Sequence, residues 1–292
     1  MSAALDTVET EALPPRSENR AWKKLKRNRS ALVGLVLVSF FIIIALAAPL
    51  LPVPDPTATS WTAVRKAPSA AHWLGTDEIG RDILSRMIWG ARASLMAGVV
   101  SVVIAVLIGV PLGLLAGYFG KWVDQIISRI ADALLATPFL ILAIALAAFL
   151  GPSLTNAMIA IGLSAMPIFI RLTRGQVLSV KTEDFVEGAR AVGLGNTAII
   201  TRYILPNVFA PILVQATLTV ATAIIAEASL SFLGLGQQPP APSWGSMLNV
   251  AKNFLTQAPW MAWWPGAAIF FVVLGFNLLG DGLRDALDPR EG

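Results

Sequence analysis

Hydrophobic residues in this chain fall in long runs rather than in alternation. Six runs, at 31–51, 95–119, 130–150, 154–170, 208–233 and 264–283, carry few charges. A helix needs about 20 mostly apolar residues to cross the hydrocarbon of a bilayer. The pattern therefore predicts an all-α integral membrane protein with six transmembrane helices. The fourth run is the shortest and the fifth the longest, so tilt or mismatch is expected. The first run follows "KKLKRNR" and ends near "ALA", as a signal peptide does. It is too long for a signal core and five more runs follow, so it reads as an uncleaved anchor. The expected organisation is a tail over 1–30, an anchor over 31–51 and an outer loop with an interfacial helix over 52–94. A core of five spans over 95–283 contains a polar loop at 172–206, and a short tail covers 284–292.

Composition sharpens this picture. Of 292 residues, 55% are hydrophobic and 14% charged. Soluble domains carry roughly 25% charged residues, and the deficit matches the cost of charge in hydrocarbon. The net charge of +4 comes from short flanking segments, which favours membrane orientation over nucleic-acid binding. With the N-terminus inside, sixteen of the 22 Lys and Arg lie on the inner side and six outside. Both termini and the 172–206 loop are then cytoplasmic. The chain has no cysteine, which excludes disulfides and thiolate metal sites.

Within that loop, "TEDFVEGARAVGLGNTAIITRYILPN" starts at Thr182. Thr182 is an expected N-cap, with Glu183 and Asp184 placed where a helix start favours negative charge. Phe185, Ala189 and Val192 form one apolar stripe. Gly193 and Gly195 end the helix. Asn196 or Thr197 caps a second helix that runs to Pro206. A helix of about ten residues is marginal alone in water, so its stripe needs a partner. The membrane domain itself, the lipid interface and another protein all qualify on these grounds.

"EGARAVGLGNTAIITRYILP" resembles the EAA loop of bacterial ABC importer permeases. Glu187, Ala189, Gly193, Leu205 and Pro206 match the motif in register, while Gly188 and Tyr203 depart from it. "HWLGTDEIGRDILSRMIWGARASL", "EASLSFLGLGQQPPAPSWGSML" and "NLLGDGLRDALDP" resemble the dipeptide, oligopeptide and nickel permease group, of the DppC or OppC type. The resemblance implies a type I ABC importer permease fold in a bacterial cytoplasmic membrane. It implies a second homologous permease subunit, two cytoplasmic ATPase subunits that bind ATP and Mg, and an extracytoplasmic substrate-binding protein. The chain itself then holds no cofactor. Phe185, Glu187, Ala189, Gly193, Leu205 and Pro206 become the ATPase-coupling loop. Di- or oligopeptides are the implied cargo, with nickel chelates as the near alternative.

Other positions carry competing readings. Gly109, Gly113 and Gly117 form a small-residue face suited to close helix packing. Pro111 and Pro167 mark kinks. Gln215, Thr219, Thr222, Ala226 and Ser229 share one mildly polar face, which suits either a translocation pathway or interhelical packing. Glu227 should face protein or a water-filled cavity, paired with an Arg or meeting a cationic substrate group. Near the second span, Ile83, Leu84, Met87 and Ile88 share a face, while Arg81, Arg86 and Trp89 are expected to snorkel or to sit at headgroup depth. His72, the only histidine, reads as structural. The sequence "GLSA" around Ser164 resembles a rhomboid-protease motif over four residues, but no histidine falls in a span to serve as base. The chain has no phosphate loop or His-Glu-x-x-His motif. Two related halves with paired intramembrane charges, expected of a secondary transporter, are not evident. An enzyme is not expected.

Overall fold

The computed structural model describes residues 28–287; the tail segments 1–27 and 288–292 lie outside the described residues. Ten α-helices and no strand occur among the described residues. Helix α1 (Arg29–Ala47) starts at Asn28, whose Oδ1 accepts from the backbone N–H groups of Ser30 and Ala31 at 3.1 and 3.2 Å. Its buried residues, Ala31, Gly34, Val38, Phe41 and Ala45, recur every three or four positions. They form one stripe. Val36, Phe40, Ile43 and Leu46 point outward, an arrangement that suits lipid and not water.

Helix α2 (Ile83–Phe119) is a single element of 37 residues, about 55 Å long. The expected interfacial helix and second span are therefore continuous. Asp82 supplies the only start signal, its side chain accepting from Ser85 N–H at 2.9 Å. The third expected span is not one helix. Helix α3 (Lys121–Leu135) and helix α4 (Phe139–Leu150) meet at a 92° bend. Pro138 explains it, since a proline pushes the preceding residue out of the helical region and lacks a donor. Helix α4 has 12 residues, about 18 Å, which is short of the hydrocarbon thickness. Among the described residues, five helices are long and apolar enough to cross a membrane, or six if the bent pair is one span.

Helix α5 (Leu154–Val180) outlasts its apolar run by ten residues. After it come α6 (Asp184–Ala191), α7 (Asn196–Ile199), a π-helical turn (Ile200–Ile204) and α8 (Leu205–Phe232). Pro206 lies in the first turn of α8 and does not separate α7 from it. The wider π turn absorbs the missing N–H. Helices α9 (Trp244–Ala251) and α10 (Trp260–Leu287) are the last among the described residues.

Helix α2 packs most extensively on α5, and α8 packs on both. Helix α10 joins α1 to α8. Chain direction then puts α6 and α7 at one end of the bundle. Segments 52–82 and 234–259 lie at the other. Pro111, Pro167, Pro211 and Pro265 all lie inside continuous helices.

Candidate functional site

The 182–206 segment adopts the helix–turn–helix expected of it, with revised details. Glu183, and not Thr182, is the N-cap of α6; Thr182 Oγ1 instead donates to Ser179 O at 2.9 Å. Gly193 has φ +81°, in the region where L side chains are strained. Its N–H donates to Arg190 O at 2.9 Å and Leu194 N–H to Ala189 O at 3.2 Å. These two bonds form a Schellman motif, which satisfies the last carbonyls of α6. Gly195 does not end that helix. It is the N-cap of α7, in place of Asn196 or Thr197.

The expected stripe is split between two surfaces. Val186 is fully buried and Ala189 is 4% exposed, together with Ile199 and Ile204 in the main core. Phe185, Val192 and Leu194 are exposed, Val192 at 77%. The helix therefore rests on its own membrane domain through Val186 and Ala189. It leaves a second apolar set facing away. Glu187 is exposed in the first turn of α6, Leu205 is packed at the edge of the core, and Pro206 is exposed.

Sequence reasoning missed how α2 meets this loop. Tyr118, in the last turn of α2, donates its hydroxyl proton to Asn196 Oδ1 at 2.8 Å. The guanidinium of Arg190 lies over the Tyr118 ring, 5.5 Å from its centroid. Lys181 Nζ donates to Gly117 O at 2.8 Å, placing a cation at the carbonyl end of a helix. Arg174 of α5 holds Asp124 of α3 through two bonds at 2.5 and 2.7 Å. The signals were present as an aromatic and opposite charges near helix ends. Their pairing depends on tertiary geometry.

Gly109, Gly113 and Gly117 face α5. A methyl group at Gly109 would sit 2.7 Å from Met166 O, one at Gly113 2.7 Å from Ile170 O, and one at Gly117 2.6 Å from Val177 Cβ. Backbone approach this close needs glycine. Gly34 and Gly275 play the same part between α1 and α10, and were not singled out from sequence.

The polar face of α8 is unevenly covered. Thr219 and Ala226 are buried, Gln215 and Ser229 half-buried, and Thr222 exposed. Each hydroxyl donates to the carbonyl four residues earlier: Thr219 to Gln215, Thr222 to Leu218, and Ser229 to Ile225. Gln215 opens onto a hollow shared with Gln176 and Arg284. Ser229 lines a separate one with Phe232 and Leu248.

Glu227 is fully buried, and its partners are serines in place of the expected Arg. Ser94 Oγ donates to its Oε2 at 3.1 Å and Ser231 Oγ to its Oε1 at 2.7 Å. Ser94 Oγ also accepts from Trp244 N–H at 3.2 Å. Trp244, 1% exposed, donates from Nε1 to Met87 O at 3.1 Å and stacks edge-on to Phe41. This carboxyl thus ties α2, α8 and α9 together.

Arg81 and Arg86 do not snorkel outward but are buried within the protein. They are 6% and 4% exposed. Arg81 bonds Asp77 at 2.5 Å and Glu78 at 2.6 Å. Arg86 lies 3.4 Å from Asp77 and donates to Pro56 O at 2.9 Å. Buried charges need such partners, since removing one strands the other. Burial first, then the Asp77 carboxylate, raises the Glu78 carboxyl above its ordinary value. Ile83 and Met87 pack there on Met247 and Met261, while Leu84, Ile88 and Trp89 are half-buried. His72 Nδ1 lies 3.0 Å from Asp82 Oδ1. Ser164 Oγ donates to Ala160 O at 2.8 Å.

These features define a multi-pass helical membrane subunit whose cross-membrane helices meet a braced loop at one end. The chain belongs to the family described as the binding-protein-dependent transport system inner membrane component, whose model matches residues 109–292. The N-terminal TM domain of oligopeptide transport permease C matches residues 19–68. It is thus an ABC importer permease subunit of the DppC/OppC type.

Among curated relatives, the dipeptide transport system permease protein DppC of Alkalihalophilus pseudofirmus is 50% identical, covering 98% of this chain and 96% of that protein. The glutathione transport system permease protein GsiD of Pectobacterium atrosepticum is 45% identical, covering 92% and 90%. The probable D,D-dipeptide transport system permease protein DdpC of Escherichia coli is 42% identical, covering 97% of each. A chain of the inward-facing MetNI methionine ABC transporter matches with TM-score 0.57 and 21% identity, over 70% of this chain and 98% of that one. That likeness concerns the fold, which is the type I importer permease fold expected from sequence.

Proposed function

We propose that this chain is one of two homologous permease subunits of an ATP-driven importer that carries di- or oligopeptides across a bacterial cytoplasmic membrane. The complex has two cytoplasmic ATPase subunits, which bind ATP and Mg, and one of them docks on the 182–206 loop of this chain. A substrate-binding protein delivers cargo to the opposite face, and both termini lie inside. The partners are these proteins and membrane lipid, not nucleic acid. The observation that carries the reading is the apolar set Phe185, Val192 and Leu194, left exposed on a loop whose other face is already buried. An apolar patch on a polar loop marks an interaction site. The peptide assignment is supported by the names of the curated relatives, which concern dipeptides and glutathione. Gln215, Thr219, Thr222 and Ser229 supply the candidate pathway lining on α8. Partners for stripped peptide groups are what such a lining must offer.

The reading is tested with Phe185→Asp and Val192→Asp in the assembled complex. Loss of co-purified ATPase subunits, with insertion and permease pairing intact, is the expected result. Full retention of the ATPases by both variants would contradict the docking assignment. Uptake of a nickel chelate in place of labelled dipeptides would correct the cargo alone.

A further inference from the structure

Loop α6–α7 is joined covalently to α5 and α8, but α2, the longest helix with α8's extended run, has no covalent link to it. Its polar contacts with α6 and α7 are made by Tyr118. The Tyr118 side chain touches both arms of the loop. Its ring lies under Arg190, in the last turn of α6, and its hydroxyl donates to Asn196, which begins α7. Lys181, just before the loop, holds the neighbouring Gly117 carbonyl. Helix α2 ends at Gly120, so these bonds grip its last turn, where carbonyls lack helical partners. The same stretch of α2 is locked to α5 through Gly113 and Gly117. Near its far end α2 meets the Glu227–Trp244 cluster through Ser94. A displacement of the loop thus reaches α2 through α5, on which α2 packs most extensively, and directly through Tyr118, and α2 extends toward the opposite face.

We propose that Tyr118 is a positioning residue for transport, the clamp that makes α2 follow the docking loop. The proposal rests on the importer reading above. Tyr118 touches neither cargo nor nucleotide in this account; it acts through Asn196 and Arg190.

The test uses the complete complex in proteoliposomes, with its binding protein and labelled alanyl-alanine as the probe. Tyr118→Ala, Tyr118→Phe, Asn196→Ala and the Tyr118→Phe/Asn196→Ala double variant are compared. Dipeptide moved per ATP hydrolysed should fall about fivefold or more in Tyr118→Ala, which loses a hydrogen bond and a cation–π contact. ATPase subunits should co-purify at the parental amount. Tyr118→Phe and Asn196→Ala should each fall less, and the double variant no further than either single one, because both remove the same bond. Amide exchange over 186–196 in the purified subunit should rise in Tyr118→Ala and, less, in Tyr118→Phe. An unchanged transport-to-ATP ratio in Tyr118→Ala, or effects that simply add in the double variant, would overturn the clamp. A parental complex that hydrolyses ATP but moves no dipeptide refutes the cargo reading alone. The exchange measurement then decides the clamp, with unchanged exchange in both Tyr118 variants overturning it.

Discussion

Gly193 offers the sharpest perturbation of the loop. Its φ of +81° is required by the Schellman turn, and no atom lies within 4 Å of where a Cβ would sit. Gly193→Ala therefore adds backbone strain without a clash. A left-handed conformation costs an L residue roughly 1–2 kcal/mol, which lowers the ratio of folded to open loop roughly 5- to 30-fold. Gly193→Pro is more severe. Proline fixes φ near about −65° and removes the N–H, so the turn must open. The bonds from Gly193 to Arg190 and from Leu194 to Ala189 are lost with it, at about 1 kcal/mol each. With the lost turn conformation the total is about 3 kcal/mol or more, beyond about 100-fold in that ratio. If only the folded loop binds, the apparent dissociation constant for the ATPases scales inversely with the folded fraction of the loop and so rises once the open loop predominates. Titrating purified ATPase subunits onto the permease pair in nanodiscs reads this directly. Gly188→Ala is the internal control. Gly188 is within α6, also with open space around it, and Ala there favours helix by about 0.5–1 kcal/mol, so affinity should hold or rise. Parental affinity in Gly193→Pro would show that the turn does not present the docking surface.

Other outcomes follow from the packing. Gly113→Ala should lower the melting temperature of the solubilised subunit, because its methyl meets the Ile170 carbonyl at 2.7 Å; Gly175→Ala, with nothing within 4 Å, should not. Glu227→Ala should destabilise by about 2–4 kcal/mol, from stranded serine hydroxyls and a cavity, while Glu227→Gln retains most stability in the same melt; equal losses would show that the serine bonds to this carboxyl do not matter. Glu187→Lys should insert normally and lose transport, measured as dipeptide uptake beside immunoblotted membrane levels, since the exposed Glu187 is outside the spans. Single cysteines, introduced into a chain that has none, should label at 190 only from the cytoplasm and at 61 and 238 from outside.

The apolar runs made the long helices legible, since hydrocarbon thickness sets a length that composition reveals directly. Where the structure departs, a local rule competed with that signal. The run at 130–150 is uninterrupted by charge after Asp132, yet Pro138 splits it into α3 and α4. The stripe Phe185, Ala189, Val192 has the right period, but period alone does not say which of two apolar faces is buried. Val186 took the inner face and left Phe185 outside. Arg81 and Arg86 looked like surface residues because charge usually is. Asp77 and Glu78, a few residues away, make their burial tolerable. For Glu227 the sequence suggests an Arg or a cationic substrate group as partner, whereas the structure gives it the hydroxyls of Ser94 and Ser231. Ser94 is 133 positions away in sequence, a distance no periodicity can bridge. Tyr118 escaped notice for the same reason, since its partners Arg190 and Asn196 belong to another part of the chain.

The central claim is that this chain completes a peptide-importing complex powered through the 182–206 loop. The most direct measurement is accumulation of a labelled dipeptide inside proteoliposomes holding the sister permease, both ATPases and the binding protein, with and without this chain. The account predicts accumulation that needs ATP and needs this chain, and that falls to background with Phe185→Asp. Accumulation at the same rate without the chain, or undiminished with Phe185→Asp at equal incorporation, would contradict it.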